Sequence, residues 1–110
     1  MTIIRNIADI VGKPTSHGVG LKKVFLANNE CASNITQVAV TTLEAGSIVE
    51  SHVHQDMEEF FLIQSGEVVI QADGEEHRLS NGDFIYIPCG VSHWLSAVAT
   101  STMITIGCEL

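Results

Sequence analysis

The chain is poor in basic residues, with five Lys and Arg against 13 Asp and Glu and a formal net charge of −8. Such a charge repels phosphate backbones and anionic lipid headgroups, so nucleic acid and membrane surfaces are not expected as partners. No apolar run is long enough to span a bilayer. The first eleven residues carry Arg5 and Asp9 among their isoleucines, so they lack the apolar run of a signal peptide.

Cysteines are also few, since Cys31, Cys89 and Cys108 are odd in number and have no C-x-x-C spacing. We therefore expect no disulfide framework and a reducing, cytoplasmic compartment. Cys89 lies between Pro88 and Gly90. We interpret it as a buried, inert turn cysteine rather than a redox-active or metal-bound thiol.

The 110 residues, 45% of them hydrophobic, suffice for one domain with a core but not for two. From Leu21 onward the apolar segments are short, and turn signals such as Asp73-Gly74 and Asn81-Gly82, which favour tight hairpins, separate them. This pattern predicts an all-β fold, an antiparallel sandwich or barrel, and it lacks the crossover helices of a parallel α/β fold. The predicted strands include Val24–Leu26, Ile35–Leu43, Phe60–Ile63, Val68–Ile70, Glu75–Leu79, Phe84–Ile87, Trp94–Val98 and Met103–Ile106.

We expect residues 21–110 to form the barrel domain and residues 1–20 to form an N-terminal arm. Within the arm, residues 3–11 have apolar side chains near helical spacing, although a short turn or strand fits almost as well. The sequence does not decide where this arm packs.

Three histidines and one carboxylate are concentrated between residues 46 and 97, and glycines lie between them. Residues two apart in a strand face the same side, so His52 and His54 can point into one interior. Glu59 follows a break on the next strand, and His93 opens a later strand. The pattern predicts one mononuclear metal site formed by His52, His54, Glu59 and His93.

Strand parity also assigns the neighbours of this site. Phe61 and Ile63 point inward with Glu59, whereas Glu58 points outward. The two remaining histidines, His17 and His77, are interpreted as surface or hydrogen-bonded residues.

The stretch Gly46-x5-His52-x-His54-x4-Glu59-x6-Gly66 resembles the first motif of the cupin superfamily. The stretch Gly82-x5-Pro88-x-Gly90-x2-His93 resembles the second, after a short spacer typical of compact single-domain cupins. The resemblance implies a jelly-roll β-barrel (a double-stranded antiparallel β-helix) with the same four residues as metal ligands. Ala97 departs from the pattern, because an Asn usually ends the second motif. A turn contact or a contact behind the ligands is therefore expected to be missing.

Three neutral imidazoles and one carboxylate would leave a divalent ion with a net charge of about +1 and, if octahedral, two open positions. Mixed nitrogen and oxygen ligation suits Fe, Mn, Ni, Cu, Co and Zn. Such a centre polarises carbonyls and stabilises enolates, and a redox-active metal also handles dioxygen. A tetrahedral zinc with four protein ligands would instead be closed.

We expect a small pocket beside the ion. Phe61, Ile63 and Met103 would make it largely apolar, and Gln37 or Tyr86 would add a polar contact, although each also suits an ordinary core position. With so few cations in the chain, the ion itself is the expected anchor for an anionic or enol-type ligand. Arg78 is interpreted as a solvated side chain rather than a carboxylate clamp.

The sequence leaves three functions open. One is an enzyme that transforms a small organic molecule by dioxygenase, isomerase or decarboxylase chemistry. Another is a non-catalytic metallo-barrel that binds a small molecule or sugar as a sensor, and the third is a structural zinc subunit. Separately, an apolar stripe on the outer surface predicts a homodimer, and its side chains are Val53, Phe60, Leu62 and Trp94.

Overall fold

The structure is a computed structural model that describes residues 1–110 and contains ten β-strands and two single turns of 3-10 helix. The strands are β1 Lys13–Pro14, β2 Leu21–Ala27, β3 Ile35–Leu43, β4 Ile48–His52, β5 Met57–Ser65, β6 Glu67–Ala72, β7 Glu75–Ser80, β8 Phe84–Ile87, β9 His93–Ala97 and β10 Ser101–Glu109. The 3-10 turns are Ile7–Asp9 and Asn28–Glu30. The all-β prediction is confirmed. The structure contains no helix with the length and apolar character needed to cross a membrane.

The strands form two antiparallel sheets. One has six strands in the order β1-β2-β3-β10-β5-β8, and the other has four in the order β4-β9-β6-β7. Several consecutive strands, such as β5 and β6, lie in different sheets, so the chain crosses repeatedly between the two layers. This is the expected jelly-roll barrel.

The two turn signals of the sequence behave differently. Asp73 and Gly74 both have positive φ, 56° and 76°, and they close the β6–β7 hairpin as predicted. Asn81-Gly82 joins β7 to β8, which lie in different sheets, so the expectation of a hairpin there is wrong. The turn is bound to β5 instead, because Gly82 N donates to Ile63 O and Ile63 N donates to Asp83 O, at 2.8 and 2.9 Å.

The space between the sheets is filled by eleven buried apolar side chains that form one cluster. Alternate residues of β6 belong to it, namely Val68, Ile70 and Ala72, as the period of two in a strand requires. Ile63 and Ile87 contribute from the facing sheet. The cluster therefore packs the two sheets face to face.

The first residues of the chain extend beside β2. Only Ile7–Asp9 of the near-helical segment forms a turn, and Lys13–Pro14 pairs with the start of β2. Polar contacts hold this segment, because Arg5 pairs with Glu30 at 2.5 Å and donates to the carbonyl of Phe25. Its apolar side chains stay largely exposed, among them Ile4 at 91% and Val11 at 79%, so no apolar face supports a longer helix.

Gly66 makes the crossover from β5 to β6 possible. Its φ is +94°, and an added Cβ would meet the carbonyl oxygen of Thr100 at 2.5 Å and the side chain of Ser101. Ser101 is fully buried and hydrogen-bonds to the carbonyl oxygens of Glu67 and Ala99. The crossover therefore has neither the backbone freedom nor the space for a side chain.

We expect Gly66→Ala to lower the free energy of unfolding by about 2–4 kcal/mol, because left-handed strain and overpacking add together. Gly82→Ala is the matched control, since its φ is +85° but nothing lies within 4 Å of an added Cβ. It should lose only the strain, about 1–2 kcal/mol. Urea unfolding of both variants measures the difference, and equal losses would contradict this account.

Candidate metal centre

The structure brings His52, His54, Glu59 and His93 together between the two sheets. His52 ends β4 and His93 begins β9, and the two are cross-strand partners. Glu59 lies on β5, in the opposite sheet. One cluster is therefore built from both layers of the barrel.

His54 reaches the cluster in a different way from the one predicted. Strand β4 ends at His52, so the two histidines do not share a strand and that part of the prediction is wrong. The ladder between β4 and β9 ends at His52 and His93, and the chain beyond it is held by the β8–β9 turn. There, Gly90 N donates to His54 O at 2.8 Å and Cys89 Sγ donates to Gln55 O at 3.0 Å.

The distances within the cluster fit a single ion. One ligand atom from each residue lies within 4.8 Å of the others, and Glu59 Oε1 is 3.1 Å from His54 Nε2 and 3.3 Å from His93 Nε2. Neighbouring ligands held about 2.0–2.2 Å from an ion are about 3 Å apart. Glu59 Oε1 and His93 Nε2 are buried without a hydrogen-bond partner, so both lack the partner that a cation would supply.

Backbone carbonyls orient two of the imidazoles. His52 Nδ1 is 2.9 Å from Glu50 O, and His93 Nδ1 is 3.0 Å from Val91 O. A carbonyl only accepts, so each Nδ1 carries the proton and each Nε2 presents its lone pair. This is the tautomer that a metal-ligating imidazole needs.

The electrostatics of Glu59 and His93 are coupled. Burial alone would raise the pKa of Glu59, but His93, His54 and His52 together outweigh burial and hold this pKa below its ordinary value. Burial alone would lower the pKa of His93, but the Glu59 carboxylate and the Val91 carbonyl raise it above its ordinary value. Each of the two groups therefore stabilises the charged form of the other.

A cavity of about 280 Å³ opens beside the cluster, and all four residues line it. Of the five pocket residues expected from the sequence, Gln37, Phe61 and Met103 line this cavity. The other two do not, and the pocket prediction is wrong for them.

Ile63 and Tyr86 are outside the cavity for different reasons. Ile63 points inward as expected, but it is completely buried in the apolar cluster. Tyr86 faces outward, opposite Phe60 in the β5–β8 pair, with ring centroids 5.3 Å apart. Its hydroxyl donates to Glu58 Oε1 at 2.5 Å, which also places Glu58 on the predicted outer face.

Several polar side chains that no sequence motif singles out also line the cavity. His17 was interpreted as a surface or hydrogen-bonded residue, and it is both exposed and bonded to Thr15, yet its ring centroid is 5.7 Å from that of His52. Lys22 on β2 also lines the cavity, and no sequence pattern singles it out. Threonines on β3 and β10 also contribute, namely Thr36, Thr41 and Thr105. The inward parity that Thr41 shares with Gln37 was a usable signal, but nothing local placed the His17 loop.

Three other residues singled out in the sequence lie away from the cavity. Cys89 is half-buried, forms no disulfide and is bonded to the loop that carries His54. Arg78 pairs with Glu67 at 3.2 Å and stays largely exposed. Ala97 makes a turn contact through its backbone, because Gly46 N donates to Ala97 O at 2.8 Å. That turn contact therefore does not require an Asn side chain.

Comparison with known proteins gives one family and many similar folds. Residues 39–106 match the family model described as "Cupin domain". Quercetin 2,3-dioxygenase from Bacillus subtilis (strain 168) is 29% identical over 68 residues, which are 62% of this chain. The aligned region covers 20% of the length of that protein.

Solved structures agree on the fold at low sequence identity. A Thermotoga maritima protein described as a predicted oxalate decarboxylase has a TM-score of 0.89 at 20% identity, covering 98% of this chain and 100% of its own. Ectoine synthase from P. lautus has a TM-score of 0.85 at 17% identity, with coverage of 97% and 78%. KdgF from a Halomonas species has a TM-score of 0.80 at 15% identity, with coverage of 98% and 94%.

The family match spans well over half of the chain, and it contains all four residues of the cluster. The structural similarities cover nearly the whole chain and agree with that match. The chain belongs to the cupin family.

Proposed function

We propose that this cupin holds one divalent transition metal ion on His52, His54, Glu59 and His93 and uses it to bind and transform a small anionic or enol-type metabolite. The observation that carries the proposal is Glu59 Oε1. It is buried, has two imidazole nitrogens within 3.3 Å and forms no hydrogen bond. A cation at the centre of the cluster would supply the partner that this buried carboxylate oxygen lacks.

The proposed reaction class is dioxygenase, isomerase or decarboxylase chemistry. Bound at this site, Fe, Mn, Ni, Cu, Co or Zn would supply a Lewis acid next to the cavity, and the redox-active metals would also supply electrons. Two relatives support this choice, the B. subtilis quercetin 2,3-dioxygenase and the T. maritima protein described as a predicted oxalate decarboxylase. A cavity of about 280 Å³ suits a small metabolite.

His17 is the candidate proton acceptor. The Thr15 hydroxyl donates to Val19 O, so its oxygen accepts a hydrogen bond from His17 Nδ1, at 3.0 Å. His17 Nε2 is then left with a free lone pair. Burial, followed by the charge of His52, lowers the pKa of His17, so the imidazole is neutral near pH 7 and able to take a proton from a bound ligand.

The alternative is a non-catalytic barrel that binds a metabolite as a sensor or binding module. It is favoured by the scarcity of proton-transfer groups, because His17 and Lys22 are the only titratable side chains that line the cavity outside the cluster. Mass spectrometry of protein purified without a metal-binding tag separates the two functions. An unreacted metabolite that copurifies, together with no turnover of that metabolite, would favour the sensor.

We further propose that the protein is a homodimer that buries the outer face of the six-stranded sheet. The predicted stripe is divided, since Trp94 lies on the four-stranded sheet and Val53 in the loop after β4. Phe60 and Leu62 remain as a pair on β5, and the next strand, β8, adds two exposed aromatic residues, Phe84 at 58% and Tyr86 at 47%. An exposed apolar face of this kind favours self-association.

We also propose a cytoplasmic location. All three cysteines are free thiols, and free thiols persist in a reducing compartment. Blocking of the thiols in freshly lysed cells, followed by mass spectrometry, would show whether they are reduced in vivo.

Glu59→Gln is expected to lower the affinity for Zn²⁺ by more than the roughly 10–100-fold that the loss of an outer contact costs, because it removes a charged ligand. Glu58→Gln is the matched control, because it removes the same charge from the neighbouring residue, whose side chain faces outward. Chelator competition and elemental analysis give the affinity and the metal content. Equal values for the two variants would refute the site.

Metal affinity should fall as the pH is lowered through the raised pKa of His93. Below that pKa the imidazole keeps its proton and the ion must displace it, whereas Glu59, with its lowered pKa, stays ionised. Chelator competition between about pH 8 and pH 5.5 tests this dependence, and calorimetry in two buffers counts the protons released. An affinity that stays constant across the range would contradict the expectation.

Light scattering at micromolar concentration should give the mass of a dimer, and the pair Leu62→Glu with Phe84→Glu should shift it to a monomer. Ile48→Glu serves as the control, because Ile48 is 60% exposed but lies on the four-stranded sheet. A wild-type monomer, or a dimer that only the control disrupts, would argue against this interface.

A further inference from the structure

Lys22 is the only Lys or Arg side chain that lines the cavity. Its Nζ donates to Gln37 Oε1 at 2.9 Å, and it belongs to none of the ion pairs in the structure. Both arginines, in contrast, pair with carboxylates, Arg5 with Glu30 and Arg78 with Glu67. Lys22 is therefore a half-buried cation whose one polar partner is neutral.

The hydrogen-bonding capacity of this ammonium is not used up. Lysine has three N–H donors, and Lys22 makes one hydrogen bond. Removing an ammonium from water costs free energy unless an anion or several acceptors compensate for it. An anion that entered the cavity would meet both a charge and free donors.

Hydroxyl groups surround this side of the cavity. Thr36 Oγ1 is buried and has no hydrogen-bond partner, and Thr36 lines the cavity next to Gln37. Thr41 Oγ1 and Thr105 Oγ1 are 2.9 Å apart and also belong to the lining. The orphaned Thr36 hydroxyl is a second observation, independent of Lys22, that indicates a missing polar ligand.

Lys22 and the metal cluster lie on different strands of the barrel. In the six-stranded sheet, β3 and β10 separate β2, which carries Lys22, from β5, which carries Glu59. Three strand spacings separate the strands β2 and β5 by about 14 Å across the sheet, and both side chains line the same cavity. The cavity therefore has two polar regions with apolar side chains such as Phe61 and Met103 in its wall.

The charges favour an anionic ligand with two acidic groups. With neutral imidazoles, Glu59 and Lys22 are the only charged side chains in the lining, and they cancel. A divalent ion on the cluster would raise the sum to about +2, which a dianion neutralises. A neutral ligand would leave two positive charges in a partly buried space.

We propose that Lys22, together with Gln37 and Thr36, forms an anion-binding subsite, and that the ligand of this cupin is a small dicarboxylate with one acid group on this subsite and the other toward the cluster. The assignment rests on the proposed function, because it takes the cluster as the metal-bound, reacting end. It adds a substrate class and a specificity-determining residue, Lys22.

The test uses calorimetric titration with malonate, succinate and glutarate, which differ in length, and with their uncharged diamides. Wild-type protein, Lys22→Met and Lys23→Met are each titrated with and without one equivalent of Zn²⁺. Lys23→Met is the matched control, since the same charge is removed from the next residue, whose Nζ donates to Ile7 O and which does not line the cavity. Lys22→Arg tests whether restoring the charge restores binding.

The best-fitting dicarboxylate should bind wild type and Lys23→Met equally and Lys22→Met about tenfold or more weakly, as expected for a charge-assisted hydrogen bond. Lys22→Met should also reduce the preference for the dicarboxylate over its diamide, which a merely structural role for Lys22 would leave intact. Equal affinities in the two methionine variants, or no binding of any dicarboxylate at millimolar concentration, would overturn the proposal. Dependence on Lys22 without any uptake of Zn²⁺ would instead refute the metal site and leave the subsite standing.

Discussion

The buried carboxylate oxygen of Glu59 meets the imidazoles of His54 and His93 between the two sheets. It extends from β5 in one sheet toward His52 and His93, which form the last pair of the β4–β9 ladder in the other. The distance between the sheets is set by the apolar cluster around residues such as Ile63 and Ile70. The packing of this core therefore determines how precisely the four donors are positioned. A jelly roll suits such a site because its close-packed core lies directly behind it.

The sequence predicts those parts of the fold and site that depend on local spacing. The period of two in a strand was sufficient to place Glu59 and Phe61 inward and Glu58 outward. It could not predict that Phe61 lines the cavity while Ile63 lies in the core, because both residues have the same parity. Only their positions along β5 distinguish them. The spacing of His52 and His54 suggested one strand, but tertiary hydrogen bonds from the β8–β9 turn decide the path of the chain there.

The cavity residues that the sequence does not predict are brought there by contacts between segments far apart in the chain. His17 and Lys22 reach the cavity through loop geometry and strand order, and neither has a motif around it. Of the 13 acidic residues, Glu59 is the only one that lines the cavity. The excess of negative charge therefore lies elsewhere on the molecule, and the overall charge of −8 says little about the ligand. The local arrangement of charges decides which ligands fit, as the single cavity lysine illustrates.

The position of His54 beyond the end of β4 has a consequence for how the cluster behaves. His52, Glu59 and His93 are in paired strands, so displacing any of them breaks ladder hydrogen bonds. His54 is held by a few loop contacts, chiefly the one from Gly90, and it moves at a lower energetic cost. Three of the four donors are therefore held by strand pairing, and His54 is held by loop contacts alone. An ion bound here would be held by three donors on paired strands and by one on a loop, and only the loop donor could shift without loss of strand pairing.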